Sequence, residues 1–483
     1  MRPADPPRSG PSRVEHDLLG DRDVPAPALY GVHTLRATEN FDVTGIPLGA
    51  RPRLVEALAA VKQAAAVVNA DLGLVTREQA DAIVAACTEI RSGRWHDHFV
   101  VDVIQGGAGT STNMNANEVV ANRALELLGR ERGDYRVLHP LEHVNRSQST
   151  NDVYPTALKI ALAVSIDDLV TALRALAAEF AARAAEFADI LKVGRTQLQD
   201  AVPMTLGQEF ATFAVMLGED ADRLGETKAL IAEINLGGTA IGTGITTHPE
   251  YAARACAALR EITGLPLTTA VNLVEATQDV GAFVQVSGVL KRTAVKLSKI
   301  CNDLRLLSSG PRAGLGEISL PAVQAGSSIM PGKVNPVIPE LVNQIAFRVV
   351  GNDVTVSMAA EAGQLQLNAF EPVIAESLHG MTADLTAGCD TLRRRCVSGI
   401  TANTDVLAES LDRSLALVTA LSPHIGYEAA TDVAHRALST GRPVTEIVVE
   451  RTHLTRERLA DILVPARLVA PVLLDLPVPG PAR

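Results

Sequence analysis

A mostly α-helical fold is predicted by three features of this 483-residue sequence. Proline-free, alanine-rich text runs for about thirty residues at a time, apolar residues recur at three- and four-residue steps, and no βαβ alternation or long repeat interrupts the pattern. In chain order, residues 1–13 read as a disordered, proline-rich lead, and Val24 to Gly45 as a mixed loop with turn punctuation. "RPRLVEALAAVKQAAAVVNADLG" follows, rich in helix formers and stopped by Gly73. Next, "TREQADAIVAACTEIRSG" opens on a capping box from Thr76 to Gln79 and closes on Gly93. Two unusually long helices are expected from about Thr156 to Ala188 and from about Leu206 to Ile234. A third is marked by Val286, Leu290, Thr293, Leu297, Ile300 and Leu304 on one face. A fourth is expected from about Pro339 into the 370s. Helices of about 30 residues are about 45 Å long, so several side by side imply an elongated bundle. An aromatic content of 3% suits a core of Leu, Val and Ala.

Size and charge narrow the function. A chain this long exceeds what one core can organise, so two or three domains are expected. The net charge of −11, with no concentrated basic segment, argues against nucleic acid and anionic membranes as partners and for a small molecule or protein. Five cysteines without a C-x-x-C, most of them in apolar helical text, read as buried thiols of a reducing cytosol. Neither disulfides nor zinc are indicated. No apolar signal region or membrane-length apolar run occurs, so a soluble, cytoplasmic protein is expected.

Four polar, glycine-containing clusters do not suit a bundle. "GGAGTSTNMNANE" (Gly106 to Glu118) and "NRSQSTNDVYP" (Asn145 to Pro155) each gather hydroxyls and amides just before a helix, where ordinary caps and turns would use the same residues. "GRTQLQDAVPMT" (Gly194 to Thr205) lies between two long helices and reads by itself as a connector. "GSSIMPGKVNP" (Gly326 to Pro336) sets two serines beside Lys333 and Asn335, after a glycine-rich approach from Ser308 to Ala325. An ordinary surface loop explains its glycines and prolines, but explains the serines less easily. Together the clusters supply neutral donors, helix N-termini and one ammonium, which is an inventory for gripping a small carboxylate. No metal-ligand set and no nucleophile-elbow or phosphate-loop spacing accompanies them.

"GSSIMPGKVNP" resembles the signature of the aspartase/fumarase superfamily, lyases that eliminate a leaving group β to a carboxylate. The likeness continues in order through "HDLLGDRDVPAPALYGVHTLRATENF", "GGAGTSTNMNANEVVANRALELLG", "STNDVYPTALKIA", "GRTQLQDAVPMTLGQEF", "NLGGTAIGTGITTHPEY" and "GYEAATDVAHRALSTGRPVTEIVVER", from about residue 14 to 470. Within the superfamily, "QSTND", "GRTQLQDAVPMT" and "NPVIPELVNQ" are similar to the aspartase branch, which releases ammonia from L-aspartate and leaves fumarate. The resemblance implies a three-domain, mostly α subunit with a central long-helix bundle, here 14–148, 149–405 and 406–483, without a cofactor. It also implies a homotetramer whose active sites each draw on three subunits. Carried over position by position, the base is Ser327, and the contacts to a small dicarboxylate are Thr110, Ser149, Thr150, Asn151, Thr196, Gln197, Ser328, Lys333 and Asn335.

The residue types fit that chemistry. Removing a Cβ proton next to a carboxylate makes an aci-carboxylate with nearly two negative charges, so donors aimed at its oxygens must lower most of the barrier. A serine acts as base only if nearby N–H groups or Lys333 hold its alkoxide in a dry pocket, and the glycine-rich approach makes a closing lid plausible. Gln197 stands where fumarases usually carry a histidine. An amide cannot protonate a departing hydroxide, whereas an α-ammonium leaves as neutral ammonia unaided, so Gln197 favours ammonia loss. Glu340, which typically supports that histidine, has no partner here and is left out of the site. "HPLEHVN" (His139 to Asn145) replaces the amide and aspartate of a second anion site with Leu141 and Glu142, so that site is not expected. Fumarate hydratase and a lyase for a related aspartate derivative stay open as alternatives, as does an inactive structural relative.

Overall fold

The computed structural model describes residues 10–469 and 471. Its helices are α1 (Val32–Asn40), α2 (Pro52–Asp71), α3 (Arg77–Arg91), α4 (Thr110–Leu127), α5 (Thr150–Glu186), α6 (Leu206–Ile231), α7 (Tyr251–Thr263), α8 (Leu273–Gln278), α9 (Gly281–Leu307), α10 (Val337–Glu361) and α11 (Glu371–Arg395). Six shorter ones follow: α12 (Thr404–Arg413), α13 (Ala416–Ile425), α14 (Tyr427–Thr440), α15 (Val444–Arg451), α16 (Arg456–Ile462) and α17 (Pro465–Leu468). Strands occur only in pairs among the described residues. β1 (Ser12–Asp17) with β2 (Gly20–Pro25), β3 (Leu191–Thr196) with β4 (Gln199–Thr205), and β7 (Ile318–Ser319) with β8 (Thr401–Ala402) are antiparallel, while β5 (Glu233–Ile234) with β6 (Thr268–Thr269) is parallel.

The chain forms two compact units. The first takes in the described part of Met1–Val170 with Asp222–Ala294 and Phe347–Leu385, and the second Thr171–Ala221, Val295–Ala346 and the described part of Thr386–Arg483. In the first unit, α2, α3, α4 and α7 close around a core that includes Leu58, Val61, Ile83, Cys87, Val119, Leu125 and Leu259. In the second unit, Phe180 and Phe187 of α5 meet Phe210 and Phe213 of α6 with ring centroids 5.2 to 6.0 Å apart, tilted or edge-on as the ring quadrupoles prefer. The C-terminal helices of this unit share a separate cluster in which Val193 of β3 lies against Leu411, Leu417, Val433, Val444 and Ile447.

Most long helices lie where periodicity places them. All six apolar-stripe positions of α9, from Val286 to Leu304, are buried. The Thr76–Gln79 capping box is present in both directions, with Gln79 N–H donating to Thr76 Oγ1 and Thr76 N–H to Gln79 Oε1. Three expectations are corrected. The fourth long helix stops at Glu361 rather than in the 370s, because Asn368 donates to the carbonyls of Ala359 and Ala360 and its Oδ1 accepts from Phe370 N–H, ending one helix and starting another. Val24 to Gly45 is not all loop: it contains α1, whose first amides are satisfied by Glu118, 84 to 87 residues away, through Gly31, His33 and Thr34 N–H. "GRTQLQDAVPMT" is not a plain connector but the β3–β4 hairpin. The expected lead of residues 1–13 lies mostly outside the described residues, and Ser12 and Arg13 already belong to β1.

Candidate active site

In the first unit, α4 and α5 begin side by side. Gly107, Ala108 and Gly109 have φ of 92°, 56° and 88°, a left-handed run that turns the chain sharply into Thr110. A Cβ on Gly109 would lie 2.4 Å from the Tyr154 ring of α5, so only glycine lets the two helix starts approach. Thr110 is exposed and donates its hydroxyl to Gly107 C=O at 2.7 Å. One turn later Asn113, on the same helix face, donates to Thr150 Oγ1 at 3.1 Å. At the start of α5, Ser149 Oγ accepts Asn151 N–H at 3.2 Å and Asn151 Nδ2 donates to Ala240 C=O at 2.8 Å. Pro155 lacks the N–H that would bond the Asn151 carbonyl four residues back, a loss worth about 3 kcal/mol in a helix interior. Asn235 Nδ2 fills that gap at 3.0 Å. Thr110, Ser149, Thr150 and Asn151 are thus brought together.

Behind them lie groups that motif spacing did not single out. Lys62 of α2 is fully buried, and its ammonium donates to Asn113 Oδ1 (2.6 Å), Asn145 Oδ1 (3.0 Å) and Gln148 Oε1 (2.9 Å). Amide oxygens alone do not offset the desolvation of a cation, so burial pulls its pKa down to about 7, with the nearby Asp152 opposing. Asp152, also fully buried, accepts the N–H groups of Ser149, Gly237 and Thr239 at 2.9 to 3.0 Å. Burial nonetheless pushes its pKa up to about 6. The one available signal was a lone lysine inside α2 at the register of Leu58, Val61 and Ala65, all buried.

The second unit carries the other named residues. Thr196 and Gln197 are exposed at the tip of the β3–β4 hairpin, where Thr196 pairs with Gln199 and the two turn residues, Gln197 and Leu198, have φ of 52° and 62°. Two positive φ values make a primed turn, which usually recruits Asn or Gly, and non-glycine residues there store about 1–3 kcal/mol each.

The Gly326–Pro336 loop is closed on itself. Gly326 N–H donates to Lys333 C=O at 2.8 Å, and Asn335 Nδ2 donates to Gly326 C=O at 2.9 Å. A Cβ on Gly326 would lie 2.8 Å from that Lys333 oxygen, and Gly332 turns the loop at φ 80°. Ser327 Oγ accepts two backbone N–H groups, from Met330 at 2.9 Å and Ile329 at 3.2 Å. Two fixed donors on one hydroxyl oxygen stabilise negative charge there and favour its alkoxide. Ser327 and Asn335 are half-buried, and Ser328 and Lys333 are exposed, among apolar neighbours Ile329 and Val334 that are exposed too.

The first unit therefore assembles a polar cluster around the starts of α4 and α5, and the second unit carries the hairpin and the loop. Glu340 Oε1 accepts from Gln344 Nε2 on the exposed side of α10. In "HPLEHVN", His139 Nδ1 accepts the N–H groups of Leu141 and Glu142 and closes a local turn. Among the described residues no group of three or more His, Cys, Asp or Glu side chains is placed to hold a metal ion.

Comparison with known proteins identifies the family. Residues 20–351 match the family model described as lyase, and residues 417–470 match that of the fumarase C C-terminus. The aspartate ammonia-lyase of Pseudomonas aeruginosa is 57% identical over 466 residues, 96% of this chain and 98% of that protein. Its namesake in Escherichia coli K12 is 54% identical over 95% of this chain and 96% of its own length. A solved structure of a Brucella melitensis fumarate lyase:delta crystallin, bound to cobalt, aligns with TM-score 0.93 and 55% identity over 95% of this chain and 100% of that one. The class II fumarase of Schistosoma mansoni aligns at 0.87 with 36% identity over 94% of this chain and 98% of its own. With a family model matched over most of the chain and relatives 54–57% identical over nearly all of it, the chain belongs to the lyase family of the aspartase/fumarase superfamily.

Proposed function

We propose that this chain is an aspartate ammonia-lyase, a carbon–nitrogen lyase that reversibly converts L-aspartate to fumarate and ammonia. The observation that carries this reading is the 57% identity to a curated aspartate ammonia-lyase across 96% of the chain, together with Gln197 at the hairpin tip. In the reaction, the Ser327 alkoxide takes a proton from Cβ and the electron pair spreads onto the neighbouring carboxylate as an aci-carboxylate. That pair then forms the carbon–carbon double bond as the C–N bond breaks, and the α-ammonium departs as ammonia. Thr110, Ser149, Thr150, Asn151, Thr196, Gln197, Ser328, Lys333 and Asn335 hold the two carboxylates and stabilise the added charge. The two N–H groups on Ser327 Oγ support its role as base.

A homotetramer with sites shared by three subunits would let polar clusters set far apart in the sequence meet in one pocket. Exposed Phe347, Val350, Val354 and Met358 recur along α10 at helical spacing, an apolar face that a neighbouring copy would cover. Five buried, unpaired cysteines support a cytoplasmic setting, and no described helix is long and apolar enough to cross a membrane. Within the subunit we keep the domain boundaries near residues 148 and 405. Purified protein given L-aspartate or L-malate, with fumarate followed by its absorbance, tests the reading: faster turnover of L-malate would replace it with fumarate hydratase. Light scattering at the mass of four chains tests the assembly.

A further inference from the structure

The hairpin tip stores backbone strain, yet no side chain at the tip itself accounts for its placement. The restraint lies along β3, just before the tip. Residues three apart on a regular strand face opposite sides, but the register of β3 shifts between Val193 and Arg195, where Gly194 passes so close to β4 that a Cβ would lie 2.8 Å from Val202 C=O. This bulge returns Arg195 to the face of Lys192, and both cations reach one carboxylate. Arg195 Nη1 donates to Glu317 Oε1 at 2.5 Å, and Lys192 Nζ lies 2.8 Å from Glu317 Oε2 as an ion pair without hydrogen-bond alignment. Lys192 also meets Glu209. Glu317 is fully buried, so this charge is costly to hold except against such partners. Its backbone is fixed on both sides, its N–H donating to Leu307 C=O at 2.9 Å and its carbonyl accepting Asn403 N–H at 3.0 Å. Ten residues further on comes Ser327.

We propose that Glu317 is a positioning residue for catalysis: through Arg195 it sets the angle at which the hairpin presents Thr196 and Gln197, and it fixes the root of the segment that carries Ser327. This rests on the site proposed above. The test measures kcat and KM for L-aspartate in the full-length protein carrying Arg195→Met, which leaves the Lys192–Glu317 pair in place, and Glu317→Gln. Both are expected to lose at least tenfold in kcat/KM, Glu317→Gln the more. Arg195→Met is expected to melt below wild type but less far below it than Glu317→Gln, because Lys192 still faces the buried carboxylate, so it carries the test if Glu317→Gln does not fold. Combining Arg195→Met with Thr196→Ala separates positioning from general support. If Arg195 acts through the tip, the double variant falls no more than about threefold below the weaker single variant. A loss under tenfold in Arg195→Met, or losses that multiply in the double variant, would overturn the role. Should wild type turn over L-malate and not L-aspartate, the substrate reading fails alone and the same comparison is made with L-malate.

Discussion

Around Lys62, the side chains of Asn113, Asn145, Gln148 and Thr150 bond to one another or to the buried ammonium, on α4, the start of α5 and the turn before it, and α2 and α4 also form the core of their unit. Around Ser327, the side-chain bonds run to the backbone of the same eleven-residue loop, and half its polar groups face solvent. The first region is set when the core forms, so its donors need no reorganisation when a carboxylate arrives. The second is tight in itself but loosely tied to its surroundings, as suits a segment that closes over substrate. On the proposed reading, fixed donors and a movable base are a division of labour, and each half predicts a different response to mutation.

The largest effect is expected at Ser327, the proposed base. Ser327→Ala removes the proton acceptor and should lower kcat on L-aspartate by at least about 1000-fold, by analogy with loss of other essential groups. Because the side chain is half-buried and accepts from two loop amides only, the melting temperature should stay within about 2 °C. A variant that kept a tenth of the activity would reject Ser327 as the base. Lys62→Met should do the reverse in kind. Asn113 Oδ1 and Gln148 Oε1 lose their donor, each at a cost of about 1–3 kcal/mol, while Asn145 Oδ1 keeps those of Asn113 and Asn117, so the protein should melt at least about 3 °C lower. Activity should fall about 100-fold through Asn113 and Thr150. Equal stability of the variant and wild type would end the contrast between the two regions. Gly326→Ala comes next: its methyl meets backbone at 2.8 and 2.9 Å, so the loop must open, and kcat should drop about tenfold with little change in melting. Unchanged kcat would show that closure of the loop on itself is not needed.

How legible each region was follows from where its information sits. Local patterns carried the long helices and the capping box, because side chains three and four apart decide both. Ser327, Lys333 and Asn335 stood out as residues that a bundle has no use for. What escaped was specified from a distance. Helix α1 is capped by Glu118, far along the chain, so no local signal marked its start. The hairpin turns on Gln197 and Leu198, a pair with poor preference for a primed turn, held by a bulge and by Glu317. Lys62 sat in helical text as one charge among apolar residues, where a snorkelling surface lysine looks the same.

The smallest predicted effect is a slope with pH, and it belongs to the buried cluster alone. Asp152, with its pKa raised by burial from 3.8 to about 6, binds more protons folded than unfolded between those values, so its contribution to stability declines as pH rises through that window. Lys62, with its pKa lowered by burial from 10.5 to about 7, sheds its proton earlier when folded. Between about pH 7 and 10.5 the unfolded chain binds more protons at this site, so stability rises with pH there. The pair is thus least favourable between about pH 6 and 7, where both groups are charged and desolvated. Lys62→Met removes the upper limb. The stability gap between wild type and this variant should therefore widen from pH 7 to pH 9, by up to about 1 kcal/mol per pH unit. Chemical denaturation of both proteins at pH 6.5, 7.5 and 9 measures it, with Ser327→Ala as the control whose gap stays flat. A constant gap for Lys62→Met would mean that the buried ammonium keeps its proton, and that its three amide partners compensate for the lost water more fully than their neutrality suggests.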